Sequence, residues 1–198
     1  LPAHPLRFCR TAGGAASMSV TGYVSGFAGI IVGLAAANLL TSFHRLFRAS
    51  RDIIWDWMAP VLGIQMLMLT VSVWWRSYGW YAGIDSYPLY AFIPDLAILL
   101  SLFLVVAAVL PDEIPAKGRL DLREFYLAEA PYIWTIYGIG SLIVVVHAYF
   151  RHPMGEAGLF SFLLWQWPNL LAIAIAVAIR FRPHLWLHYA TIVGFMSY

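Results

Sequence analysis

Long apolar stretches separated by short links run through this chain. They extend from about Val20 to Phe43, Ile53 to Trp75, Leu89 to Leu110, Pro131 to Phe150, Gly158 to Ile179 and Pro183 to Tyr198. A helix needs about 20 mostly apolar residues to cross the hydrocarbon of a bilayer. Helices satisfy their own backbone polar groups, which lipid cannot do for them. The last stretch is short for a full crossing. The pattern predicts an all-α polytopic membrane protein with six transmembrane helices and short loops, and short links favour antiparallel neighbours. The longest link, Pro111 to Ala130, is broken by Pro111, Pro115 and Gly118. In its second half, Leu122, Phe125 and Tyr126 fall on one helical side, which predicts one short interfacial helix.

Composition supports this class. Apolar residues make up 62% of the chain and charged residues 11%, whereas soluble domains carry about a quarter charged residues. Aromatic residues reach 16% and suit the headgroup region, where amphipathic rings settle. A formal charge of +2, scattered along the chain, argues against nucleic acid as a partner. Cys9 is the only cysteine, so no internal disulfide forms. Residues 1–17 read as a tail, either disordered or upstream of a true start at Met18. Residues 18–198 read as a single transmembrane domain.

Orientation follows from the basic residues of short loops. The links after the first, third and fifth stretches hold Arg45, Arg48 and Arg51, then Lys117, Arg119 and Arg123, then Arg180 and Arg182. The opposite side holds Arg76 and Arg151, plus Arg7 and Arg10 of the tail. The heavily basic links are expected in the cytoplasm, with both termini outside. Trp74, Trp75, Tyr78, Trp80, Tyr81, Tyr87 and Tyr90 are expected to form an aromatic belt at the outer interface.

Two helix entries look alike: Ile54-Trp55-Asp56-Trp57 before Pro60, and Leu164-Trp165-Gln166-Trp167 before Pro168. An inverted repeat of the transporter kind would produce such a match. In a tryptophan-rich chain, chance produces it more readily. Trp55, Trp57, Trp74-Trp75, Leu110-Pro111-Asp112-Glu113 and Asp121-Leu122-Arg123-Glu124-Phe125-Tyr126 together resemble a set of uncharacterised bacterial multi-pass inner-membrane proteins. The resemblance covers about the middle half of the chain. It implies a bacterial inner membrane and no particular activity, and it transfers no functional residue.

Three groups of residues are candidates for function. Gly22, Gly26, Gly29 and Gly33 share one face of the first helix, continued by Ala36 and Ala37. Small residues let helices approach closely in lipid, so this face docks either a partner or the chain's own bundle. Asp95, Asn38, Gln65 and Asn169 form a candidate intramembrane polar site, because polar groups within spans are costly. For Asp95 the partners expected from topology are Arg76 and Arg151. A plain helix-start role also fits it, with Pro94 as the first helical residue. His44, Asp52, Asp56, His184 and His188 gather at the cytoplasmic ends as a candidate metal site or proton relay. His147 is a further candidate for an axial ligand of a tetrapyrrole.

No residues stand out as catalytic. The only lysine, Lys117, lies in a link, which excludes a retinal Schiff base in a span. No phosphate-binding loop, dinucleotide fingerprint or Cys-x-x-Cys occurs. The pair Gly138 and Gly140 reads as an isolated pair within a span. The expected function is an integral membrane accessory or scaffolding subunit that binds the bilayer and other membrane subunits or its own copies. The alternatives are a small-solute or proton-coupled transporter, then a metal- or tetrapyrrole-binding membrane protein. No cofactor is identified.

Overall fold

The computed structural model describes residues 20–81, 87–115, 119–151, 158–181 and 184–196. The tail at 1–17 and Met18 lie outside the described residues, as do Lys117 and Arg182. Six helices follow one another: α1 (Val20–Arg48), α2 (Met58–Tyr81), α3 (Leu89–Ala108), α4 (Leu122–Arg151), α5 (Gly158–Phe181) and α6 (Leu185–Met196). The fold is all-α and polytopic, and α1 to α5 are long and apolar enough to cross a membrane. The 12 described residues of α6 rise only roughly 18 Å at 1.5 Å each, short of the roughly 30 Å hydrocarbon thickness.

The short interfacial helix expected around Asp121 to Glu129 is not a separate element. It is the first part of α4, which runs unbroken from Leu122 to Arg151 with Pro131 inside it. Asp121 caps this helix: its Oδ1 accepts the N–H groups of Arg123 at 2.8 Å and Glu124 at 3.2 Å. Such a cap satisfies orphan donors at a helix start. Leu122, Tyr126, Ala130, Ile133 and Trp134 are fully buried on both sides of Pro131, and their packing carries the helix through the proline. Leu122 and Tyr126 therefore face the core and not the membrane surface. The two tryptophan entries also fold differently. Trp55 and Trp57 precede α2, whereas Trp165 and Trp167 lie inside α5.

Helix α4 runs antiparallel between α3 and α5. Its closest crossings are at Gly138 and Gly140. A Cβ on Gly138 would lie 2.7 Å from the Cβ of Ala176 in α5, and one on Gly140 would meet the Ser101 side chain of α3. Residues two apart on a helix point to nearly opposite sides, so one glycine serves each neighbour. In α1 the buried stripe is Val24, Ala28, Ile31, Val32, Ala35, Leu39, Ser42 and Leu46. Packed against α2 and α3, it holds α1 in the bundle.

The basic links meet at one end of the bundle. There β1 (Ile53–Ile54) pairs in parallel with β2 (Leu120–Asp121), joining the α1–α2 and α3–α4 links. The Arg45 guanidinium donates to the Asp112 carbonyl. The start of α6 packs here too, with Tyr189 stacked on Trp57 at 5.5 Å. The opposite end gathers the end of α2, the start of α3 and the end of α4.

Candidate functional site

At that opposite end, Asp95 is 5% exposed and lies in the second turn of α3. Helix α3 begins at Leu89, with Pro94 inside it. The helix-start reading of Asp95 is thereby overturned, since five helical residues precede Pro94. Four side chains converge on the carboxylate. Tyr81 of α2 donates to Oδ2 at 2.8 Å. The Tyr87 hydroxyl lies 2.7 Å from the same oxygen and 3.0 Å from the Ala91 carbonyl. From α4, Arg151 Nη2 approaches Oδ2 at 3.2 Å, and His147 Nδ1 approaches Oδ1 at 3.2 Å. Arg151 also donates to the Tyr87 oxygen, with its guanidinium carbon 5.5 Å from the Tyr87 ring centre. The Tyr81 and Tyr87 rings meet edge to face at 5.3 Å.

Each of these partners can donate, as a carboxylate's acceptor oxygens require. The Asp95–Arg151 pair balances charge within the bundle, where a lone charge is costly. Of the two arginines expected near Asp95, Arg151 is its partner and Arg76 is exposed. His147, a candidate axial ligand by sequence, joins the same centre. Its spacing of four residues from Arg151 puts both on one face of α4. Tyr81 and Tyr87 were expected in the outer belt. Trp74, Trp75 and Tyr90 are indeed exposed, but Tyr81 is only 2% exposed, its hydroxyl turned inward by Asp95. The side chains of Tyr78 and Trp80 lie outside the described residues.

The other members of the polar set do not join Asp95. Gln65 Nε2 donates to the Ile192 carbonyl of α6 at 2.9 Å, and Gln65 Oε1 is buried without a hydrogen-bond partner among the described residues. Asn169 donates to Gln166, one turn earlier in α5, at 2.8 Å. Asn38 is half-buried in α1. Gln65 thus bonds to α6 and Asn169 within α5, and neither bonds to Asp95.

The metal set is likewise dispersed. Among the described residues, no three His, Cys, Asp or Glu side chains are placed to hold a metal ion. His44, Asp52 and His184 are exposed. Asp56 Oδ1 accepts the Met58 N–H at 2.9 Å, at the start of α2. His188 is 1% exposed and turns inward, its Nδ1 3.0 Å from the Tyr126 hydroxyl. Trp134 Nε1 donates to the same Tyr126 oxygen at 3.2 Å. His147 has its Nδ1 engaged by Asp95.

The glycine face of α1 lies on nearly the opposite side from the buried stripe. Gly22, Gly26 and Gly33 are exposed. Among the described residues, a Cβ on Gly26 or Gly33 would meet nothing within 4 Å, whereas one on Gly29 would lie 3.4 Å from Trp74 Nε1. Ser25, Gly26, Trp74 and Trp75 line a shallow groove beside this face.

No family model, curated protein or solved structure matches this chain.

Proposed function

We propose that this protein is an integral membrane scaffolding subunit of a bacterial inner membrane, with its basic links in the cytoplasm. It associates through the glycine face of α1 with the same face of a second copy. The observation that carries the reading is the outward position of Gly26 and Gly33, with open space where side chains would stand. The face from Gly22 to Ala37 has no charged residue, so it asks for an apolar helix as partner. Two such faces bring their backbones closer than either would bring a helix of large side chains. The test is cross-linking between copies in vesicles. Gly26→Leu combined with Gly33→Leu should abolish the dimer and leave the monomer's melting temperature unchanged. Undiminished cross-linking would overturn the proposal.

The Asp95 centre favours a second reading, a carrier of small solutes or protons. Its support is a carboxylate, an imidazole and a guanidinium converging within the spans, since ionisable groups there mark transport paths in many membrane proteins. Uptake into vesicles, lost in Asp95→Asn, tests it; uptake that persists in that variant counts against it.

A further inference from the structure

We propose that Asp95, Tyr81 and Tyr87 form a receptor for a small organic cation of the alkylguanidinium or alkylammonium class, and that Arg151 is its tethered occupant. This rests on the second reading above, in which the Asp95 centre handles a solute, and is independent of the α1 face.

The parts of such a receptor are all present. A buried carboxylate supplies the counter-charge, and the faces and edges of two tyrosine rings supply an aromatic wall. A cation set between a carboxylate and an aromatic face gains from both. The Arg151 guanidinium takes this position now, against Asp95 Oδ2 and over the Tyr87 ring. Among the described residues Asp95 is the one carboxylate at this centre, and no group of three metal-ligating side chains gathers there, whereas a divalent ion takes several oxygen ligands. A planar or compact organic cation matches what the arginine head already satisfies.

The occupant can leave while the receptor stays. Arg151 is the last residue of α4, and its side chain is 29% exposed against 5% for Asp95. It therefore enters from the rim, and rotation of this one side chain withdraws it without moving a helix. The carboxylate keeps its orientation meanwhile. His147 still holds Oδ1 and Tyr81 still holds Oδ2, from two different helices. Such preorganisation lowers the cost of binding. A free cation then takes the place of the guanidinium.

Chemical rescue of the full-length protein in detergent tests this, with methylguanidinium as the probe. Arg151→Ala should melt lower than the parent. Millimolar methylguanidinium should restore it saturably, by about 5–10 °C at a hundredfold excess over Kd. Potassium chloride at equal ionic strength should not, nor should methylguanidinium act on Asp95→Asn combined with Arg151→Ala. A folded Arg151→Ala protein that shows no saturable rescue overturns the proposal. Where Arg151→Ala does not fold, Arg151→Met keeps the aliphatic stem and takes its place. Where neither folds, both are prepared with methylguanidinium present: recovery of folded protein supports the receptor, and no recovery overturns it. Methylguanidinium flux into vesicles separates this inference from the carrier reading. Saturable binding without flux keeps the receptor and removes the carrier. Flux of another solute without methylguanidinium binding does the reverse.

Discussion

His147 reaches Asp95 across the α3–α4 interface, its Nδ1 3.2 Å from Oδ1, one helical turn before Arg151 closes on Oδ2. The carboxylate thus joins two cationic or cation-capable groups of α4 to α3 and, through Tyr81, to α2. Removing only the acid takes the acceptor from the His147 ring, 14% exposed, while Arg151 at the rim turns to solvent. Asp95→Ala should therefore cost about 1–3 kcal/mol, the range for a largely buried group left without its partner. Asp95→Asn, which keeps a hydrogen-bond acceptor, should cost less. Asp95→Asn combined with Arg151→Met should recover part of the loss. Unfolding in detergent measures all three, and equal stability of Asp95→Ala and the parent would show that the cluster does not brace the bundle.

The glycines divide into two kinds. Gly138→Ala meets the Ala176 Cβ and Gly140→Ala meets Ser101, so each should lower stability by about 1–3 kcal/mol through overpacking. Gly33→Ala has open space and gains helix propensity, worth up to about 1 kcal/mol in water. It should leave the monomer unchanged or slightly more stable. A thermal melt of the three variants side by side checks the ordering.

Tyr126 joins Trp134 to His188 inside the core. Tyr126→Phe keeps the ring and removes the oxygen that Trp134 Nε1 and His188 Nδ1 both contact. The expected cost is about 1–3 kcal/mol, the range for a buried group that loses its hydrogen-bond partner. Tyr126→Phe combined with His188→Leu should cost less than the sum of the two single changes. Additive losses in a double-mutant cycle would show that the pair is not coupled.

Sidedness is tested with cysteines placed singly in a Cys9→Ser background. A cysteine at Arg119 should react with an impermeant maleimide only when the cytoplasmic face is open. One at Tyr90 should react from the outside of intact cells. Labelling of both from the same side would remove the antiparallel arrangement of α3 and the link that follows it. Labelling from exchanged sides would reverse the proposed orientation.

Of the Asp95 site, the acid itself was legible, since an acid in an apolar span is conspicuous. Topology offered Arg76 and Arg151 as its partners, and Asn38, Gln65 and Asn169, grouped with it by their polarity alone, lie elsewhere. Tyr81 was not legible as part of it, because its sequence neighbours Trp74, Trp75 and Tyr90 are exposed aromatic residues and nothing local sets it apart. His188 shared a helical spacing with His184 that suggested a joint ligand pair. The structure turns His188 to Tyr126 and leaves His184 exposed.

The sequence alone determined that this chain forms apolar helices long enough to cross a bilayer and that their connections are short. Length and hydropathy are local properties, and a 20-residue apolar run has few other uses. The tertiary structure decided which face of each helix turns inward. In lipid, the outer face of a helix is as apolar as its inner face, so the periodicity that marks a core in soluble helices fades. Gly22, Gly26, Gly29 and Gly33 therefore fitted a partner and the chain's own bundle equally, and Gly22, Gly26 and Gly33 lie on the exposed side of α1. Gly138 and Gly140, with no comparable repeat, hold the tightest contacts because α4 happens to lie between two neighbours. Pro131 looked like a helix start and became a helix interior, since the burial of Leu122, Tyr126 and Trp134 on either side of it outweighs one missing backbone hydrogen bond.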